Sequence, residues 1–494
     1  VYPVPEIYTG ASAITDPETL ILYNPTRLAQ TYGLTATHAL TENLRLLADH
    51  NQVRGILFPV EFDIEVSSAY EDWNANYCNV FAANRVVELL RTNVISSYLA
   101  SYPTLRYVVV VGSDEQIPFY REWDLARIAN ERAYTQGAQA GPSAILAATA
   151  SGFYLTDDAY GTSPGRELGW RGRYFWLPDL ATGRLVERPE EINASIFQFL
   201  FNDGQLNSQD ALVTGYDFLS DAATVIYNQL NYMHPGAVTK LIGEDWGAND
   251  LRAAWVNAPN APDLATVNAH YEHWRTLPAT TTQGIFYNDD VVNATTSLPG
   301  TVAWSMGCHA GYNVPDPNVL LPASQPDYPQ AFAQHGALWI ANTGYGYGQY
   351  DGIGGSERLM LLLTHELGQS GPVAVGDALQ RAKARYLSSL PPGGLTPYDA
   401  KSLMVATLYG LPMYQVVVPN ALPTPNSHMD IALGDFESIG GLVRRTISIT
   451  PTLEVYAGRD GTYYGVGSPL AAYGAVGRPL LPSTALPVNA PPGW

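Results

Sequence analysis

Short apolar runs recur along the chain, each followed by a stretch with helical spacing, and this alternation constrains the fold more than any other feature. Runs at 20–23, 55–60 and 107–111 are separated by helical stretches over 37–51 and 82–99. The pattern resumes with runs at 211–214, 238–242, 263–269, 301–306 and 337–341, and with helical spacing over 221–233, 328–334, 356–367, 373–387 and 397–408. Strands that alternate with helices pair in parallel, because a crossover helix returns the chain to the same edge of the sheet. The expected architecture is α/β: two Rossmann-like parallel-sheet subdomains, over 19–130 and 210–414. Residues 1–18 read as an extended lead-in and 131–209 as a connecting region with a helix over 189–201. After 414 the helical period disappears and Pro/Gly turns separate alternating segments, so 415–494 reads as an all-β, immunoglobulin-like segment.

The run 301–306 stops at Gly307, and Cys308 is the next side chain, followed by His309-Ala310-Gly311. A thiol at the carboxyl end of a core strand lies where open α/β sheets present reactive groups. Flanking glycines allow a sharp turn and close approach of a substrate. The run 263–269 leads to His270, with His273 three residues on. Two parallel strands that deliver a histidine and a cysteine to one sheet edge make a nucleophile–base pair, in which the imidazole is expected to lower the thiol pKa. His309 follows Cys308 and must point away from it, which suits a residue tuning the local field. His273 is a second candidate, for base or pocket wall. Glu272, Asp157 and Asp158 are candidates to orient His270.

Other chemistries fit the same residues. His270-Tyr-Glu-His273 with Cys308 or His309 reads as a zinc set, although helical zinc pairs are usually spaced by four. Asp157-Asp158 reads as a carboxylate pair for a structural calcium. The loop from Gly344 to Gly348 carries Tyr345 and Tyr347 and leads to Asp351, Ser356 and Glu357, and it suits a flat wall beside an extended peptide. There Asp351 and Glu357 are either partners for a basic substrate side chain or solvated loop charges.

A net charge of −20 argues against nucleic-acid or anionic-membrane partners, and no apolar run approaches the ~20 residues of a membrane span. Only two cysteines are present, which excludes a disulfide framework, and Cys78 is expected to be a buried, inert thiol. Lysine is nearly absent, at positions 240, 383 and 401 alone. The opening at Val1, without a leader, reads as a processed chain or a piece of a longer one.

Ser305-Met-Gly-Cys-His-Ala-Gly-Tyr-Asn-Val314, Ala269-His-Tyr-Glu-His273 and Asn342-Thr-Gly-Tyr-Gly346 together resemble the gingipain-type, caspase-like cysteine peptidases. The resemblance covers residues 20–415. It implies a secreted or cell-surface endopeptidase that acts on protein or peptide substrates and requires no cofactor, with His270 and Cys308 as the catalytic pair. It also implies that the segments around Asp157-Asp158 and Pro178-Asp179 bridge two subdomains. In the family, the residue after the catalytic histidine is usually glycine, whose N–H helps bind the oxyanion. Here Tyr271 stands there, with the N–H of Cys308, after Gly307, as the other donor. A rival reading is a non-catalytic surface or structural protein that retains the fold.

Overall fold

The structure is a computed structural model that describes residues 7–9, 16–135, 142–318, 326–350, 352–390, 394–422, 429–439, 442–451, 453–458, 461–466, 472–473 and 481–482. Ten strands make a single sheet. In chain order they are β1 (Thr19–Tyr23), β2 (Gly55–Pro59), β3 (Tyr107–Val111), β4 (Ala181–Leu185), β5 (Ala211–Gly215), β6 (Val238–Ile242), β7 (Leu264–Thr266), β8 (Val302–Trp304), β9 (Leu338–Asn342) and β10 (Ala406–Tyr409). Across the sheet they run β6-β5-β7-β8-β9-β10-β4-β3-β1-β2. Every neighbouring pair is parallel except β9–β10.

Most of the apolar runs are buried on both faces, as their composition requires; the edge strand β6 is partly exposed. All residues of β1, β3, β5 and β9 are buried. Alternate residues feed two cores: Val213, Leu264, Val302 and Ile340 pack into one, and Leu212, Ala265, Ala303 and Trp339 into the other. That is the two-residue period of a strand covered from both sides.

Several elements differ from the sequence reading. The two α/β halves share one sheet instead of building two. The stretch read as connecting supplies β4, which pairs along β3 from Tyr107↔Ala181 to Val111↔Leu185. The expected helix over 397–408 ends at Met404, and the β-branched and aromatic residues that follow form β10, the strand that closes the seam. The run 263–269 is a strand only to Thr266. Asn268 then clamps onto Thr214, giving its backbone N–H to the Thr214 hydroxyl (2.9 Å) and its side-chain N–H to the Thr214 carbonyl (3.0 Å), while its side-chain oxygen accepts from the Thr266 hydroxyl (3.1 Å). The chain leaves the sheet there, and His270–Glu272 begins an antiparallel hairpin with Arg275–Leu277.

Beyond residue 428 the described residues form antiparallel strand pairs, Met429–Ile439 with Leu442–Pro451 and Leu453–Gly458 with Gly461–Val466 among them. Among the described residues no helix is long and apolar enough to cross a membrane. Cys78 is exposed, contrary to the buried thiol expected of it. It lies in the turn between the helices Ile64–Ala75 and Val80–Leu89, beside the polar Asn76 and Asn79.

Candidate active site

The parallel strands β7 and β8 pair directly, Thr266 opposite Trp304, so the segments that follow them emerge side by side at one sheet edge. Ser305 organises the exit from β8. Its hydroxyl donates to the Val267 carbonyl (2.6 Å) and accepts from the Gly307 N–H (3.0 Å). From the other side, Asn342 at the end of β9 donates to the carbonyls of Met306 (2.9 Å) and Gly307 (3.2 Å). Gly307 is required for space, since a methyl there would run into the ring of Tyr271. The residue before Cys308 is thus packed on the residue after His270, which brings the two segments together at this edge of the sheet.

Cys308 is half-buried, and its S–H points to the Gly346 carbonyl at 3.6 Å. Burial pushes its thiol up to about 11, and the Glu131 carboxylate adds to the rise. This runs against the expected lowering: burial favours the neutral thiol and outweighs the opposing hydrogen bond to Gly346 and the nearby Lys401. The His270 ring is partly exposed and meets the edges of Tyr216 and Phe218, both at 5.7 Å between centroids. The backbone N–H of His270 donates to the Tyr216 hydroxyl at 3.4 Å.

Tyr271 does not line an open pocket. Its ring is buried against Tyr328 (5.3 Å) and Trp339 (6.3 Å), which leaves its backbone as the part able to face a substrate. His273 is fully buried, with Nδ1 against the Tyr134 hydroxyl at 2.8 Å. Burial, then the nearby His309, push its pKa down to about 3, so it is a neutral core histidine and not a pocket wall. His309 is also buried, with φ of +55°. Its ring stacks on Tyr134 at 3.3 Å and meets the edge of Tyr345 at 4.4 Å, while Nε2 faces the Glu131 carboxylate at 2.8 Å.

The zinc set does not assemble. His270 sits among Tyr216 and Phe218 while His273 faces Tyr134 and Tyr312, and among the described residues no group of three or more His, Cys, Asp or Glu is placed to hold a metal ion. Nor do Asp157 and Asp158 fit a calcium site. Asp157 is gripped by both sides of the Arg184 guanidinium (2.8 and 2.6 Å), and Asp158 by Lys383 (2.6 and 2.8 Å). Their charges are spent on buried cations, which also removes both as partners for His270. Glu272 is engaged by Arg275 at 2.6 Å.

On the substrate-wall side, Asp351 lies outside the described residues. Glu357 is buried and is no solvated loop charge. It caps the helix Gly355–Leu367, accepting the N–H groups of Gln349 (3.0 Å) and Gly354 (3.3 Å), and burial raises it to about 7.

Sequence reading missed Glu131, Lys401 and Asp124. Lys401 is buried between Asp124 (2.7 Å) and Glu131 (2.6 Å), and Glu131 also accepts the Tyr345 N–H (2.9 Å). Desolvation opposes ionisation of Glu131, but Lys401 and then His309 overcome it and hold the carboxyl at about 2. The rarity of lysine was the available signal: two of only three lysines in the chain, Lys383 and Lys401, are buried ion-pair partners.

No protein-family model matches the sequence, and no curated protein matches it. Among solved structures the chain is similar to the Arg-specific cysteine proteinase gingipain R, at 14% identity over 86% of this chain and 83% of that one, with a TM-score of 0.51. A complex of the pro- and mature domains of RgpB from Porphyromonas gingivalis matches at 13% identity over 84% of this chain and 82% of that one, with a TM-score of 0.48. At such identity the similarity is one of fold, and the fold is caspase-like.

Proposed function

We propose that this chain, with its gingipain-like, caspase-like fold, is a cysteine endopeptidase in which Cys308 is the nucleophile and His270 the general base and acid. The observation that carries this reading is the direct pairing of parallel strands β7 and β8, after which the segments bearing His270 and Cys308 leave the sheet at one edge, with Tyr271 packed on Gly307. Because the resting thiol is neutral, proton transfer to His270 accompanies attack of sulfur on the peptide carbonyl. The C–S bond forms as the carbonyl electron pair moves to oxygen, and the oxyanion is met by the backbone N–H groups of Cys308 and Tyr271. Collapse breaks the C–N bond while His270 returns its proton to the leaving amine. A water, deprotonated by His270, then releases the acyl group and restores the thiol.

An extended protein or peptide segment would lie between Tyr345 and Tyr347 on one side and Phe218 and Tyr350 on the other. The last two rings pack at 5.3 Å, and Tyr350 is largely exposed. Secretion or surface display, with the C-terminal β segment as an immunoglobulin-like module, fits the acidic charge and this reading. The second reading, a peptidase fold without activity, is favoured by the elevated thiol pKa. Incubation with a broad peptide library separates the two. Wild type is expected to cleave and Cys308→Ala to lose at least 10³-fold in turnover; full activity in the variant would refute the assignment.

A further inference from the structure

We propose that Glu131 is a positioning residue whose carboxylate, braced by Lys401, ties the loop carrying Cys308 to the glycine-rich loop facing it. The proposal rests on the peptidase reading for its consequence, but its geometry stands apart from it. One oxygen of Glu131 takes Nε2 of His309 (2.8 Å); the other takes the Tyr345 N–H (2.9 Å) and Lys401 (2.6 Å). His309 is the residue directly after Cys308, and Tyr345 directly precedes Gly346, whose carbonyl accepts the Cys308 S–H. The His309 N–H to the Gly344 carbonyl (2.8 Å) completes the tie. A single buried carboxylate therefore spans the two loops on either side of the sulfur.

Two further features show how closely the tie is held. His309 adopts a left-handed backbone, which a residue with a Cβ keeps only where its surroundings over-determine it. Its ring is clamped between Tyr134 and Tyr345, and among the described residues Nδ1 has no partner, so the contact to Glu131 is the side-chain hydrogen bond that orients it there. Glu131 is itself anchored from a third element, since its N–H donates to Asp124 (2.8 Å), which also pairs with Lys401. Loops held to a fraction of an ångström matter at a reacting centre, where misplacement by about 1 Å costs on the order of 100-fold in rate.

The test uses the full chain and four variants: Glu131→Gln/Lys401→Met, which removes the Glu131 and Lys401 charges together and leaves Asp124, Glu131→Gln alone, His309→Ala and His309→Gln. Turnover is measured on a peptide that wild type cleaves. Iodoacetamide labelling of Cys308 is read against exposed Cys78 as an internal reference. The double variant is expected to lose roughly 10- to 100-fold in kcat with KM within about threefold, and to shift the Cys308/Cys78 labelling ratio at least threefold. His309→Gln keeps a donor for Glu131 and is expected to retain several-fold more kcat than His309→Ala, a rescue that bulk packing alone would not produce. Should the double variant fail to fold, the two His309 variants and Glu131→Gln decide. A folded double variant with unchanged kcat and labelling, or equal turnover in the two His309 variants, overturns the proposal. If wild type cleaves no peptide, the peptidase reading fails, and an unchanged labelling ratio would overturn the positioning role separately.

Discussion

At the scale of single residues, the ionisation of Cys308 and the size of Gly307 carry the chemistry. A thiol pushed up to about 11 by burial is protonated across the neutral range, and its thiolate fraction grows about tenfold per pH unit below that value. Iodoacetamide alkylation of Cys308 in the free enzyme is therefore expected to climb steadily from pH 7 to pH 10. A plateau already reached below pH 7 would instead indicate a standing thiolate–imidazolium pair. Gly307 is fitted to the ring of Tyr271, and Gly307→Ala is expected to cost about 1–3 kcal/mol through overpacking. Tyr271→Ala in the same chain should recover part of that loss, and a thermal-melt double-mutant cycle measures the coupling. Strict additivity would mean that the two residues do not share one space.

At the scale of elements, the helix Gly355–Leu367 illustrates a buried charge used as a cap. Glu357 accepts backbone N–H groups from the preceding loop, yet burial raises it to about 7. Its folded pKa lies above its unfolded one, so the native state holds a proton that the unfolded chain has already released. Stability from this group is accordingly greatest near and below the unfolded value, falls as pH rises toward about 7, and levels off beyond. Glu357→Gln keeps an acceptor and removes the charge. Its melting temperature relative to wild type is expected to rise between pH 5 and pH 8, and a difference independent of pH would show that the carboxyl ionises freely. The hairpin that begins at His270 is the complementary case, an element whose start depends on Asn268 capturing Thr214 from the neighbouring strand.

At the scale of the molecule, the two α/β halves meet where β10 touches β4 through Tyr409 and Arg184. Arg184 is fully buried there. It holds Asp157 bidentately and donates to the carbonyls of Gly112 and Ile117 at 2.9 Å each. Removing one partner of a buried pair leaves the other charge stranded, so Arg184→Leu is expected to cost about 3–5 kcal/mol. Urea denaturation measures this, and a loss below about 1 kcal/mol would mean that solvent reaches Asp157 at the seam.

The chain's local pattern by itself determined the α/β class, the parallel strands that precede His270 and Cys308, and the glycine-flanked turn at the sheet edge. Those features follow from apolar runs and helical spacing, which act over a few residues and can be read in order. Tertiary structure alone decided that β4 and β10 join the halves into one sheet, that Tyr271 turns inward, and that Asp157 and Asp158 neutralise Arg184 and Lys383. It also decided that Glu131 and Lys401, 270 positions apart in the chain numbering (401 − 131), meet beneath His309. The reason is physical: the pKa of a thiol and the partner of a buried charge depend on what surrounds them in space, and distant segments supply those surroundings only once the sheet has closed.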